Sequence, residues 1–134
     1  MIIPYLSFKG DCEEAIQSYI SILGGEILFL SRYTAETGGE KLAGKVMHVE
    51  FKAAGSVFAA SDSREKVENT DAVRLMIHCD TAAEADTIID ALGVQGEVMQ
   101  RLVPHPPPDD GGMGGMVRDK YGYTWILTSP NDRK

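Results

Sequence analysis

Along Val46–Ala53 apolar and polar residues alternate with a period of two, Met47, Val49 and Phe51 on one side and His48, Glu50 and Lys52 on the other. That pattern predicts a strand with one buried face. Earlier in the chain the period lengthens. Cys12, Ala15, Ile16, Tyr19, Ile20 and Leu23 recur at helical spacing, behind Asp11-x-x-Glu14 as a capping box and ahead of Gly24-Gly25 as a stop. Ile2–Phe8, Glu26–Tyr33 and Val57–Ser61 read as three more strands, with a turn at Ala54–Ser56 and an expected loop over Thr34–Gly44.

A charged stretch, apolar only at Val67, then reads as a linker over residues 63–71. Beyond it the same order returns. Val73–Cys79 predicts a strand, and Asp80 or Thr81 caps a helix whose stripe is Ala85, Ile88, Ile89 and Leu92, stopped by Gly93. A strand runs from Gly96 to Val103, followed by an expected loop through Pro104–Gly115, and Met116–Thr128 reads as a hairpin turning at Lys120–Gly122. Gly122, Trp125 and Thr128 overlie Gly55, Phe58 and Ser61 at an offset of 67, while Gly96-Glu97-Val98 overlies Gly25-Glu26-Ile27 at 71. The chain is therefore read as two βαβββ modules, 1–62 and 72–134. One module alone leaves a sheet face bare. Pairing two sheets covers it and leaves a concave surface between them, either within one chain or across two chains.

Composition narrows the function classes. The 134 residues are 43% hydrophobic and 25% charged, enough for a sizeable core. Twenty acidic against thirteen basic residues give a net charge of −7, and no Lys/Arg cluster marks a phosphate-tracking surface, so nucleic acid is not an expected partner. No apolar run approaches a membrane span and no basic leader opens the chain; a soluble, cytoplasmic protein with no membrane partner is expected. Cys12 and Cys79 fit neither a CxxC nor a zinc spacing. Both fall at predicted helix starts, where a thiol can acidify, yet they are read as buried, unreactive thiols.

Four segments carry a resemblance: Pro4-Tyr5-Leu6-Ser7-Phe8-x-Gly10-Asp11-Cys12-x-Glu14-Ala15-Ile16-x-x-Tyr19, Met47-His48-Val49-Glu50, Ala60-Ser61-Asp62, and Gly115-Met116-Val117-x-Asp119-x-Tyr121-Gly122-x-x-Trp125. In this order and spacing they resemble the PhnB-like branch of the glyoxalase/bleomycin resistance/dioxygenase, or vicinal-oxygen-chelate, superfamily. The resemblance spans nearly the whole chain. It implies an α+β fold in which tandem βαβββ modules form a mixed β-sheet cup with helices outside, and it implies a homodimer. Metal-using members of that superfamily take four ligands from the first and last strands of the modules. Those positions are Pro4 or Tyr5, Ala59, Arg74 and Ile126 here. Proline, alanine and isoleucine cannot coordinate a cation and arginine repels one, so neither a metal nor another cofactor is expected. Many branch members carry Trp-Gly in the last long loop, where this chain has Asp110-Gly111.

The branch's methyltransferase label finds little support in these residues. Gly111–Gly115 leads into a strand rather than a helix N-terminus, and is read as a mobile flap. Neither GxSxG nor HExxH occurs. Strand parity instead sends Val73, Leu75, Ile77 and Cys79 beneath the second helix. If the modules pair as the resemblance implies, His48, Glu50, Arg74 and His78 gather on the concave face, with Met76 and Lys52 beside them. Buried there without partners such groups would cost several kcal/mol each, so they pair, meet water or bind a polar molecule. A Glu50–Arg74 or Glu50–His48 ion pair on a solvated face is the plainest outcome. A pocket for a small polar or cationic molecule, with Asp110 at its rim, is the sharper one. An enzyme of lyase, isomerase or metal-dependent type, using His48 and Glu50 as acid and base, is the alternative. A structural or regulatory dimer is the third. Asp62 and Asp119 are expected to cap turns or satisfy N–H groups. Trp125, Phe58, Tyr5 and Tyr19 are expected in the core, and His105 in an exposed loop.

Overall fold

The computed structural model describes residues 1–133. It contains eight strands, β1 (Tyr5–Phe8), β2 (Gly25–Arg32), β3 (Val46–Ala53), β4 (Ser56–Asp62), β5 (Leu75–His78), β6 (Glu97–Pro104), β7 (Gly112–Arg118) and β8 (Thr124–Pro130). Three helices accompany them, α1 (Cys12–Leu23), α2 (Ala35–Leu42) and α3 (Ala82–Leu92). The class is α+β, with the strands in two four-stranded mixed sheets of order β1-β4-β3-β2 and β5-β8-β7-β6. In each sheet the first strand runs parallel to the last and the other pairings are antiparallel. The chain divides into two compact units, Met1–Glu68 and a second that starts at Asn69.

In the first unit α1 buries Cys12, Ala15, Ile16 and Tyr19 against the sheet. Val46, Val49, Phe51 and Ala53 meet it from β3, and Phe58 from β4 stacks on Phe51 at 5.3 Å. A fully buried apolar side chain of this size stabilises the fold by about 1.5–3 kcal/mol. The predicted β3 alternation holds from His48 onward and fails at Met47. The register steps from His48 to Val46 while the partner strand advances only from Ser31 to Arg32, so Met47 is an extra residue. Such a bulge resets the alternation. Val46 goes under the helix in its place, and Met47 stays 38% exposed.

The start of α1 also differs from its prediction. The Asp11 side chain makes no capping bond. Asp62, at the end of β4, takes its place: Oδ1 accepts from the Gly10 and Cys12 amides at 2.7 and 3.0 Å, and Oδ2 from the Val46 amide at 3.0 Å. One buried carboxylate thus ties β1, α1, β3 and β4 together. Farther along, the expected loop over Thr34–Gly44 contains α2. Thr34 and Thr37 cap it reciprocally, and Gly39 kinks it at φ 71°. Glycine content hid this helix, because two glycines in mid-helix ordinarily argue against one.

In the second unit α3 buries Ala82, Ala85, Ile88, Ile89 and Leu92. Thr81 is its cap, accepting from the Glu84 amide at 3.1 Å. Trp125 and Leu127 of β8 are buried, as is Val117 of β7. β5 is shorter than the predicted strand: Val73 lies outside it and is 77% exposed, while Cys79 is buried. Likewise Ile2, predicted to open the first strand, precedes β1 and is exposed.

The Gly111–Gly115 flap is the largest departure. From Gly112 onward this segment is strand β7, paired with β6 on one side and β8 on the other. Its glycines mark close approaches rather than looseness. A Cβ on Gly114 would stand 2.7 Å from the His105 ring, and one on Gly115 would stand 2.8 Å from Ile89 Cδ1. His105, expected to be an exposed loop residue, is therefore half-buried across the glycine strand.

Candidate functional site

The face of the first sheet turned away from α1 carries His48 and Glu50 from β3, with Phe29 from β2 and Tyr5 from β1. Register explains the grouping. Tyr5 pairs with Ala59, Ala59 with Glu50, and Glu50 with Phe29, so four neighbouring strands present these positions in one row. The small Ala59 side chain leaves room for the residues on either side to meet over it. Tyr5 and His48 stack with ring centroids 5.7 Å apart, and Tyr5 Oη lies 3.1 Å from His48 Nδ1. On the other edge of the imidazole, Nε2 is 3.6 Å from Glu50 Oε1, an ion-pair separation too long for a hydrogen bond. Phe29 flanks the ring at 6.2 Å.

Phenol, imidazole and carboxylate thus lie in sequence. A proton on Nε2 facing Glu50 leaves Nδ1 to accept from the Tyr5 hydroxyl, and a doubly protonated ring donates from Nδ1 to Tyr5 while its charge faces Glu50. The group is exposed: His48 and Glu50 side chains are 34% and 43% exposed, and Tyr5 and Phe29 are each 52% exposed. Tyr5, expected in the core, is instead a surface member of this cluster. Sequence reasoning missed Phe29 too. The β2 bulge at Leu28, where the register steps from Ile27 to Phe29, hides its face from a simple parity count.

Arg74 and His78 belong to the second unit. His78 Nδ1 is 2.9 Å from Thr128 Oγ1, across the parallel β5–β8 pair. Arg74 precedes β5 and donates to Met116 Sδ at 3.8 Å; the Thr124 hydroxyl first, and then the Arg118 and Arg74 charges, hold Asp71 below the usual carboxylate range. Asp110 lies in the β6–β7 connection, with its side chain exposed and its carbonyl accepting from Asn131 Nδ2 at 3.1 Å. So within one unit the structure joins His48 to Glu50, adding Tyr5 and Phe29, while the remaining three predicted residues make separate contacts in the other.

The positions that correspond to metal ligands in the wider superfamily can be tested against the register. Tyr5 lies beside Ala59 in the first sheet and Met76 beside Ile126 in the second. By this register Tyr5 rather than Pro4, and Met76 rather than Arg74, occupy the first-strand positions. A phenol, a methyl, a thioether and a sec-butyl group are a poor donor set for a hard or borderline divalent cation. Among the described residues, no three His, Cys, Asp or Glu side chains cluster closely enough to hold a metal ion.

The motif aspartates act in the backbone. Besides the Asp62 cradle, Asp119 Oδ1 accepts from the Tyr121 and Tyr123 amides, and Oδ2 accepts from Trp125 Nε1 at 2.8 Å. Cys12 and Cys79 are free and buried. Burial first, and then nearby carboxylates, push both thiols up, Cys79 to about 11, against any acidification from the adjoining helix starts.

These elements, in this order, match a known family. The family model for 3-demethylubiquinone-9 3-methyltransferase covers residues 1–128. The chain belongs to this PhnB-like family. A PhnB protein from Bacillus cereus is 33% identical over 96% of this chain and 98% of its own, with a TM-score of 0.82. Protein PA1353 from Pseudomonas aeruginosa is 26% identical over 97% of each chain, with a TM-score of 0.83. A glyoxylase/bleomycin resistance protein/dioxygenase domain from Frankia sp. EAN1pec shares the fold at 11% identity, covering 100% of this chain and 93% of that one, with a TM-score of 0.70. No curated protein matches the chain. The PhnB-like fold is thus the glyoxalase/bleomycin resistance fold. No helix among the described residues is long and apolar enough to cross a membrane.

Proposed function

We propose that this PhnB-like protein binds a small polar or cationic organic molecule on the open face of its first sheet, without using the superfamily's metal. The observation that carries this reading is the row of Tyr5, His48 and Glu50 beside the exposed Phe29 ring. Two aromatic faces offer stacking or cation–π contact, and the carboxylate and imidazole fix a polar group. The net charge of −7 favours the approach of a cation over an anion at this surface. Arg74 and His78, which strand parity with superfamily-like pairing of the modules suggested, and Asp110, in the place of the branch's Trp-Gly, are proposed as further ligand contacts.

A second reading has one specific observation in its favour. Phenol, imidazole and carboxylate in line form an acid–base chain, in which His48 exchanges a proton at Nδ1 with Tyr5 while Glu50 stabilises the charged ring. Isomerisation or elimination beside a carbonyl needs such a group. Methyl transfer finds less support, since the glycine run that would have to cradle a donor is strand β7.

A thermal-shift and calorimetric screen of polar and cationic metabolites separates the readings. A true ligand at a hundredfold excess over its dissociation constant stabilises by about 2.7 kcal/mol. His48→Ala should abolish that gain without lowering the stability of the free protein. Turnover with a bell-shaped pH profile, lost in Glu50→Gln, would select the enzymatic reading. A screen that shifts nothing would leave the sheet face with a structural role. A homodimer is also proposed: β2 lies at a sheet edge and exposes Ile27 and Leu28, and light scattering of the purified protein tests it.

A further inference from the structure

The first unit holds a concavity that shares no residue with the Tyr5–His48–Glu50 row. A cleft of about 950 Å³ opens between the turn after β1, helix α2 and the segment after β4. That volume is at the upper end for small-molecule sites. Its lining is unlike the rest of this acidic chain, with five cationic side chains against three carboxylates. The cations come from four separate places: Lys9 after β1, Lys41 on α2, Lys45 before β3, and Arg64 and Lys66 after β4.

Two of the five are engaged. Lys66 pairs with Glu68 at 3.0 Å, and Arg64 lies over the Tyr33 ring at 5.6 Å. Lys9, Lys41 and Lys45 take part in none of the salt bridges among the described residues. Lys45 reaches back over the turn, its Cε 3.9 Å from where a Cβ on Gly10 would sit. Glu13, whose carboxyl feels the Lys45 charge, is already committed to Arg32 through a two-pronged contact at 2.7 and 3.0 Å. Folding therefore gathers like charges from distant parts of the chain and leaves three of them outside those salt bridges, Lys45 acting on Glu13 only as a more distant charge. Leu42 and Val67 add apolar wall, and Gly39 faces open space.

We propose that this cleft is a binding site for a small organic phosphate. The dianion would sit among Lys9, Lys41 and Lys45, with its organic portion against Leu42 and Val67. The carboxylates of Asp11, Glu36 and Glu65 confine it to the lysine side and exclude larger polyanions. Three ammonium groups suit a phosphate as point charges. This site is independent of the proposed open-face site and serves a ligand of opposite charge.

Amide-resolved NMR with phenyl phosphate, titrated at constant ionic strength, tests the proposal. Saturable shifts are expected at Gly10, Gly38, Gly39 and Lys45. In a Lys9→Ala/Lys45→Ala protein the midpoint should weaken by roughly tenfold or more, as loss of two charged contacts requires. Lys120→Ala should leave it unchanged. These lysines are exposed, so the double variant is expected to fold, and its unchanged amide spectrum elsewhere checks that. The proposal is overturned by equal shifts with phenol or sodium chloride, by shifts spread over the whole surface, or by a midpoint indifferent to the double substitution.

Discussion

The two units share one topology and hold it by different chemistry. Each closes a hairpin between its last two strands. In the first unit the turn is Ala54-Gly55, both at positive φ, 51° and 80°, and it is short enough for backbone alone to define it. In the second the turn runs from Asp119 to Tyr123, and a carboxylate holds its amides and the Trp125 indole. The helix starts differ in the opposite sense. A buried carboxylate from β4 anchors α1, whereas Thr81 caps α3 locally and Asp132 supplies one more acceptor to the Ala82 amide at 3.2 Å. Each unit thus has one buried aspartate that ties several groups together, placed at a different joint. The backbone order is the shared quantity, and the side chains that enforce it are interchangeable.

Asp62→Ala should give the largest effect. It strands the amides of Gly10, Cys12 and Val46, and the loss should reach about 3–5 kcal/mol by urea denaturation. Hydrogen exchange should accelerate first in α1 and β3. Asp119→Ala follows at about 2–4 kcal/mol, because it strands the buried indole N–H and two turn amides. Exchange should then rise first around the β7–β8 turn. If either substitution loosens both units equally, the joints are not local and the comparison fails.

The sequence carried the succession of strands along the chain, both long helices and the repeat of the βαβββ pattern, because each is written in local periodicity. What it hid has identifiable causes. Bulges at Met47 and Leu28 broke the parity on which face assignment depends. Glycines disguised α2 as a loop and β7 as a flap, since the reason for Gly114 is the His105 ring, which comes from another strand's end. Of the candidate site, His48 and Glu50 were legible from alternation. Tyr5 and Phe29 were not, because their exposure follows from the register across Ala59 rather than from their own neighbours in the chain.

A smaller effect probes the glycine strand. Gly114→Ala places a methyl against the His105 ring and should cost about 1–3 kcal/mol, the overpacking range. His105→Ala in the same protein should recover most of that loss, and absence of coupling would break the packing argument. The first unit's Gly55 has open space around it, so its demand is for φ alone.

The smallest expected effect is electrostatic. Asp71 is held below the usual carboxylate range first by the Thr124 hydroxyl, then by the Arg118 and Arg74 charges. A depressed carboxylate lends stability above its ordinary pKa of about 3.9 and loses it as pH falls through the lowered value. Thr124→Val should move the Asp71 titration upward, read by carboxyl NMR, with Arg118 keeping it from returning fully. A titration that does not move would assign the effect to the arginines.

In both units the opening strand lies hydrogen-bonded beside the closing one, Phe8 next to Asp62 and His78 next to Thr128. A chain arranged this way enters and leaves along the same edge of its sheet, at opposite ends of one parallel pair. Copies can then be strung end to end without passing any segment through a finished sheet, and each repeat can complete its hydrogen-bond ladders before the next is synthesised. That geometry makes tandem growth of such a module mechanically simple, and it frees each copy to drift toward its own surface chemistry.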